Sequence, residues 1–348
     1  MVVTGTSCNS SQLICRDAPV GEGASAGFGL LVKHGYVVEL GPGLVSGLPL
    51  FQRTLSRLSE RCRKTFSGLS AQEVSLPASE GSALINLLIH GGAAQRSDLV
   101  AGFAVGAGFR HGGPPPRGLY DMPLYQRFDA AVVAAADQSP GAWMAGAIEG
   151  LLASLELPLS QREAEDNEVE LVVTLAVEGD EAATDEVVGR LRPGVLEGTG
   201  RELSLLSLDL CAVLCAAAHV HGDESGLAWP GWLAPFDVGL MVVNPSDQAA
   251  CSLSEKLRVD LLAAGLDVLV EDRPLDAAAR RVALTSWGLP LRVLAGPTSN
   301  KGEVLLEDRR LSGPPERVPA GELLARIAAR LGRPLGGGSA PLRRRATY

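Results

Sequence analysis

The 348 residues carry 31 basic and 40 acidic side chains, a formal net charge of −9, and are 46% hydrophobic. That length predicts two domains, and the apolar fraction is enough for two cores. The acidic balance argues against a protein that binds nucleic acid chiefly by coating phosphates, because that needs clustered positive charge. No apolar run reaches the roughly 20 residues that cross a bilayer, so a soluble chain with no membrane insertion is expected.

Arginine outnumbers lysine 27 to 4. The six cysteines, Cys8, Cys15, Cys62, Cys211, Cys215 and Cys251, show no C-x-x-C spacing. They read as reduced thiols in an intracellular compartment.

In chain order, the first 25 residues are small and polar, with Arg16 their only basic residue. They form neither a secretory signal nor an Arg-rich transit peptide, so the chain is read as cytosolic or as already relieved of a presequence. From Leu48 to Phe66 the apolar positions Leu48, Phe51, Leu55, Leu58, Cys62 and Phe66 step by three or four. Pro49 opens this helix and Gly68 follows it. Its other face carries Arg53, Arg57, Arg61 and Arg63, read as solvated, with an RNA or partner surface as the alternative.

Leu84, Leu87, Leu88 and Ile89 predict a further helix. Gly141 to Leu157 predicts another, stopped by Pro158, and Glu168 to Glu178 a strand. The acidic QREAEDNE between them reads as a solvated loop. Cys211, Cys215 and His219 then fall at spacings of four, with His221 just beyond. Thiolate and imidazole suit zinc. Three ligands on successive turns of one straight helix span about 12 Å, too far to share one ion, so the stripe reads as packed core and no metal site is assigned.

Phe236 to Val243 predicts a buried strand stopped by Asn244-Pro245. A helix capped by Ser246 or Asp247 follows and closes at Gly265. Asp267 to Val270 is a second strand, Ala277 to Trp287 a second helix, Leu291 to Ala295 and Glu303 to Glu307 further strands, and Glu322 to Leu331 a last helix. Strands separated by helices predict a largely parallel, helix-covered α/β module. Its expected core is Val238, Leu240, Val242, Leu257, Leu261, Val268, Val270, Leu291, Val293 and Leu305. Beyond it, Gly336 to Ser339 reads as a linker and Arg343-Arg344-Arg345 as a basic cluster in a disordered tail, a docking arm being the alternative.

The stretches HGDESGLAWPGWLAPFDVGLMVVNP, SEKLRVDLLAAGL, VLVEDR and GLPLRVLAG occur in one order between His221 and Leu331. Together they resemble the anticodon-binding domain of class II prolyl-tRNA synthetases and the segment leading into it. The resemblance implies a reduced class II synthetase-like antiparallel sheet domain over residues 25–230, an α/β anticodon-binding-like domain over 231–333, and a tail over 334–348. It implies anticodon-domain roles for Glu271, Asp272 and Arg273.

The segment from Gly35 to Pro77 resembles motif 1 of the family, which implies a homodimer or pairing with a paralogue. Phe103 to Asp129 resembles motif 2, two antiparallel strands joined by a loop, and places Arg110 as the arginine that holds the ATP α-phosphate by a charge-assisted contact. Gly112 stands where the family has glutamate, and Pro114-Pro115-Pro116-Arg117 replaces its Arg-Pro-Arg loop. An exposed or structurally paired role for Arg110 is the alternative to residual nucleotide binding. Arg201 to Val220 takes the place of motif 3, a strand followed by a buried helix. There the Gly-x-Gly turn becomes Ser207-Leu208-Asp209 and the phosphate-binding arginine becomes Ala212. No equivalent of the prolyl-binding threonine and glutamate is found, and the inserted editing domain of bacterial enzymes has no room.

The reading expects no catalytic residues and a catalytically inactive relative that serves as a structural or accessory subunit of a larger assembly. By analogy with accessory subunits of mitochondrial DNA polymerases, the setting is a mitochondrial or other organellar matrix, otherwise the cytoplasm. One alternative is an active ligase using ATP, Mg, proline and tRNA. A second is a tRNA- or rRNA-binding module.

Overall fold

In the computed structural model the described residues are 5–15, 25–41, 44–76, 82–92, 98–110, 118–120, 122–176, 183–196, 198–311, 313–332 and 335. The readings made for Gly112, for Pro114 to Arg117 and for the tail from Gly336 lie outside them. By internal contacts the chain divides into two compact units, Cys15–Gly222 and Met1–Ile14 with Asp223–Tyr348. Strand β1 (Ser7–Asn9) therefore belongs to the second unit.

The first unit begins with α1 (Ala26–Lys33), the hairpin strands β2 (Val37–Gly41) and β3 (Leu44–Gly47), and α2 (Pro49–Gly68). In α2 the proline sits in the first turn, where its missing N–H leaves no bond unmade. Leu50, Phe51, Leu55, Leu58, Cys62 and Phe66 are buried on one face. The predicted period is observed. Each fully buried leucine of this kind contributes about 1.5–3 kcal/mol.

Next come β4 (Gln72–Glu73), α3 (Ser82–His90), β5 (Val100–Phe109), β6 (Leu124–Ala135), α4 (Pro140–Ala153), β7 (Leu159–Glu163), β8 (Val169–Leu175), β9 (Thr184–Leu196), β10 (Arg201–Asp209) and α5 (Leu210–Val220). The seven strands form one sheet in the order β4-β5-β6-β10-β9-β8-β7, antiparallel except for β4 against β5. Phe66 of α2 ties helix to sheet. Its ring lies 4.9 Å from Phe128, 6.3 Å from Phe103 and 6.0 Å from Trp143.

Two features of this sheet differ from the sequence reading. The acidic stretch read as a loop starts as β7, which pairs with β8 through Arg162 opposite Glu170; its turn passes through Asn167 at φ +60°. Strand β9 had no element assigned from the sequence, and it holds Gly189, Pro193 and Gly194, residue types that ordinarily weaken or interrupt a strand. The register resolves this. Strand β8 pairs β9 no further than Leu191, so Pro193 has a neighbour only on the β10 side and no N–H is missed on the other.

After β11 (Gly222–Asp223), whose two residues fall on either side of the division, the second unit has the short strand β12 (Gly226–Leu227), then β13 (Val238–Val242), α6 (Gln248–Ala263), β14 (Val268–Glu271), α7 (Ala277–Ser286), β15 (Leu291–Ala295), β16 (Glu303–Asp308), β17 (Glu316–Pro319) and α8 (Leu323–Leu331). Asp247 caps α6 through the Ala250 N–H, and Asp276 caps α7 through the Ala279 N–H. The sheet order is β1-β14-β13-β15-β16-β17. Strands β1, β14, β13 and β15 run parallel; β16 and β17 are antiparallel. The links from Ala295 to Glu303 and from Asp308 to Glu316 are too short for a crossover, which needs about a dozen residues.

Val238, Leu240, Leu257, Leu261, Val268, Leu291 and Val293 lie in the core as expected, with Leu323 and Ile327 of α8. On β16 the expectation is off by one residue. Val304 and Leu306 enter the core and Leu305 does not, because a strand alternates faces. The N-terminal residues were placed outside both domains, yet Ser7–Asn9 extends this sheet along the free edge of β14. The units also part at Gly222/Asp223, ahead of the 230/231 boundary read from the sequence.

Candidate functional site

Strands β5 and β6 are antiparallel with Phe109 opposite Leu124, which leaves Arg110 one residue past the end of β5. Its backbone N–H donates to Pro123 O at 2.9 Å. Nη1 donates to Met122 O at 3.2 Å, and the guanidinium lies 4.2 Å from the centre of the Tyr125 ring. One backbone bond and two side-chain contacts thus fix the residue.

Asp209 closes β10 and opens α5. One carboxylate oxygen, Oδ1, accepts the N–H groups of Cys211 at 2.8 Å and Ala212 at 2.9 Å, which caps the helix. The other, Oδ2, accepts from Arg110 Nη2 at 2.5 Å. Since β6 lies between β5 and β10, the pair bridges two strand spacings, about 10 Å, which a long and a short side chain cover together. The Asp209 side chain is 5% exposed and that of Arg110 32%. Burial pushes the Asp209 carboxyl up to about 6, against the opposing pull of Arg110 and the two helix N–H groups.

Both residues border a cleft of 590 Å³ that is also lined by Arg162, Asp185, Glu186 and Arg190. Arg127 also borders it and donates from Nε to Asp129 at 2.6 Å. The Ser207 hydroxyl donates to the same carboxylate at 2.6 Å. Burial holds the Asp129 carboxyl above its ordinary range. Arg162 pairs with Glu170 at 2.8 Å and Arg190 with Glu170 at 3.4 Å.

Among the described residues, the four arginines that border the cleft are therefore matched by carboxylates of the same chain. A polyanion would have to displace one of them, and an internal carboxylate at 2.5 Å competes without any loss of translational freedom. Asp129, Glu170 and Arg190 were not singled out from the sequence. A signal for Arg127 and Asp129 existed, because residues two apart on a strand share a face.

The residues assigned to the anticodon-binding-like domain are engaged internally. Glu271 is fully buried and takes the Arg273 guanidinium at 2.9–3.3 Å; that guanidinium stacks 4.6 Å from the Trp287 ring. Asp272 accepts from Asn9, Ser10 and Ser11. Cys211, Cys215 and His219 are not brought onto one point. The Cys215 thiol lies 3.6 Å from the Ser25 hydroxyl, and His219 Nε2 lies 2.7 Å from Ala176 O. Burial pushes both thiols up to about 12, which keeps them protonated. Among the described residues no helix is long and apolar enough to cross a membrane.

No family model matches the chain. The chain is similar to the proline–tRNA ligase of Shouchella clausii, 33% identical over 133 residues, which are 37% of this chain and 23% of that protein. It is 39% identical to that of Methylobacterium radiotolerans over 119 residues, 34% and 26% of the two chains. With that of Bacillus subtilis it shares 32% over 137 residues, 38% and 24%. About a third of this chain is related to the prolyl-tRNA synthetases. The match spans only about a quarter of the length of these relatives.

The two sheets fit that relationship. The mixed α/β chain has a class II synthetase-like fold, with an antiparallel sheet in one unit and a helix-covered sheet in the other. The stretch that the resemblance sets on motif 2 forms the antiparallel pair β5–β6, and the one it sets on motif 3 forms β10 followed by the buried α5.

Proposed function

We propose that this protein is a catalytically inactive prolyl-tRNA synthetase relative that works as a structural or accessory subunit of a larger, organellar assembly. The observation that supports the reading best is the Arg110–Asp209 pair. The arginine placed by the resemblance on the ATP α-phosphate is held at 2.5 Å by an aspartate that stands in the motif 3 turn. Ala212 follows where a second phosphate-binding arginine is expected, and it is fully buried.

A carboxylate beside the phosphate path repels what the active site must attract. Loss of one preorganised charge contact of this kind removes about 3 kcal/mol of transition-state stabilisation, a factor of roughly 10² to 10³. Two such contacts are altered here. The proposed chain accordingly takes no ATP, Mg or proline as substrates. Its partners are protein subunits, through a homodimer or a paralogue, with tRNA or rRNA contact as a secondary reading.

The test is proline-dependent exchange of pyrophosphate into ATP, with tRNA charging run in parallel and ATP binding followed by calorimetry. No exchange and no heat of binding are expected. Exchange that Arg110→Ala abolishes would overturn the reading in favour of an active ligase. Purification from the native source at low salt tests the second half, since a subunit migrates with a large complex and a free factor does not.

A further inference from the structure

The segment from Gly5 to Ser11 is attached to the second unit with the specificity of a bound peptide. Its backbone begins with Gly5 N–H donating to Leu262 O at 3.2 Å, and Thr6 O accepts from Val268 N–H at 2.8 Å. A Cβ on Gly5 would lie 2.1 Å from Leu266 O, so only glycine fits there. Ser7, Cys8 and Asn9 pair in parallel with Val268, Leu269 and Val270. Asp267 accepts the N–H of Thr6 at 3.0 Å and its hydroxyl at 2.5 Å.

Asp272 does more. It accepts Asn9 Nδ2 at 2.9 Å, Ser10 Oγ at 3.2 Å, and Ser11 N–H and Oγ at 2.8 Å each. Its own N–H donates to Ser10 Oγ at 3.1 Å. These donors hold the Asp272 carboxyl below its ordinary value against the opposing effect of burial. The site reads a pattern, Gly-Thr-x-x-Asn-Ser-Ser, through main-chain pairing for affinity and two carboxylates for specificity.

The same segment is joined to its site only through chain that belongs to the other compact unit, Cys15–Gly222. Nothing in the contact set depends on which copy supplies it. We propose that the edge of β14, with Asp267 and Asp272, is a strand-acceptor site whose ligand is residues 5–11, and that a second copy of this chain can supply that ligand. Exchange of an identical element between protomers creates a dimer contact without new chemistry. A three-residue strand held largely by exposed polar groups releases readily, as short edge elements do.

The test uses two full-length variants that complement each other. The donor, Asp267→Ala with Asp272→Ala, keeps the segment and loses the site. The acceptor, Gly5→Val with Ser11→Asp, keeps the site and expels its own segment by steric clash and like charge. Mixed with different labels, the two should form more than tenfold more heterodimer than either forms homodimer, and Asn9→Ala in the donor should reduce that severalfold. Absence of the excess, with both variants folded by circular dichroism, overturns the proposal.

A measurement on the wild-type chain covers the case in which a variant fails to fold. A synthetic peptide of residues 5–14 with serine in place of Cys8 should displace the native segment and speed Cys8 labelling by a thiol reagent severalfold, saturably. A labelling rate that does not change with peptide concentration overturns the proposal as well.

Discussion

Replacing Asp209 with asparagine separates two roles played by one carboxylate. Asparagine is as good a helix cap as aspartate, so the bonds from Cys211 and Ala212 survive. Only the charge opposite Arg110 is removed. The sign of the effect follows from linkage. Burial raises the Asp209 carboxyl from 3.8 to about 6 in the folded chain, so between these values the folded state holds a proton that the unfolded state has released. The contribution is fully present below about pH 4 and is lost as pH rises through about 6. At about 1.4 kcal/mol per unit, it reaches on the order of 3 kcal/mol.

Wild-type stability should therefore fall by up to about 3 kcal/mol relative to Asp209→Asn between pH 4 and pH 7. At pH 7 the variant should be no less stable than wild type, in line with the frequent neutrality of replacing a buried ion pair. Urea titrations of both proteins across that range, with matched slopes, give the difference directly. A difference that does not vary with pH, or that grows in favour of wild type as pH rises, would refute the reasoning. The pair would then repay its burial in full.

Other perturbations follow from the same contacts. Leu55→Asp or Leu58→Asp sets a charge on the buried face of α2, where the residues are 4% and 0% exposed, and should abolish cooperative unfolding of the first unit; Gln52→Asp on the exposed face should change its midpoint little. Arg273→Ala leaves Glu271 buried without its guanidinium and should cost about 3–5 kcal/mol by chemical denaturation. The joint change Glu271→Gln with Arg273→Met should cost less than the single one. A fragment from Ala228 to Leu331 should unfold cooperatively because its core is its own, and hydrogen exchange along Val268–Glu271 should be faster in it than in the full chain because β1 is missing.

The sequence by itself determined the order of β13, α6, β14, α7, β15, β16 and α8, the amphipathic α2, the strand elements that the resemblance sets on motifs 2 and 3, and the kinship with prolyl-tRNA synthetases. These are local properties. A helix shows in a three-to-four spacing, a cap in an aspartate, a stop in a glycine, and each needs only neighbouring residues. That Asp209 and Ala212 stand where the resemblance sets a glycine and an arginine could be read because identity at a position needs no coordinates.

Only the tertiary structure decided what those residues touch. Arg110 and Asp209 are 99 positions apart and meet because β6 separates their strands by two spacings. The segment around Asn9 reaches Asp272 across 263 positions and turns a stretch read as lying outside both domains into a sheet strand. Leu305 exchanged places with its neighbours because pairing register fixes which face of a strand is buried. Partner choice across such separations depends on register and burial, which no window of sequence contains.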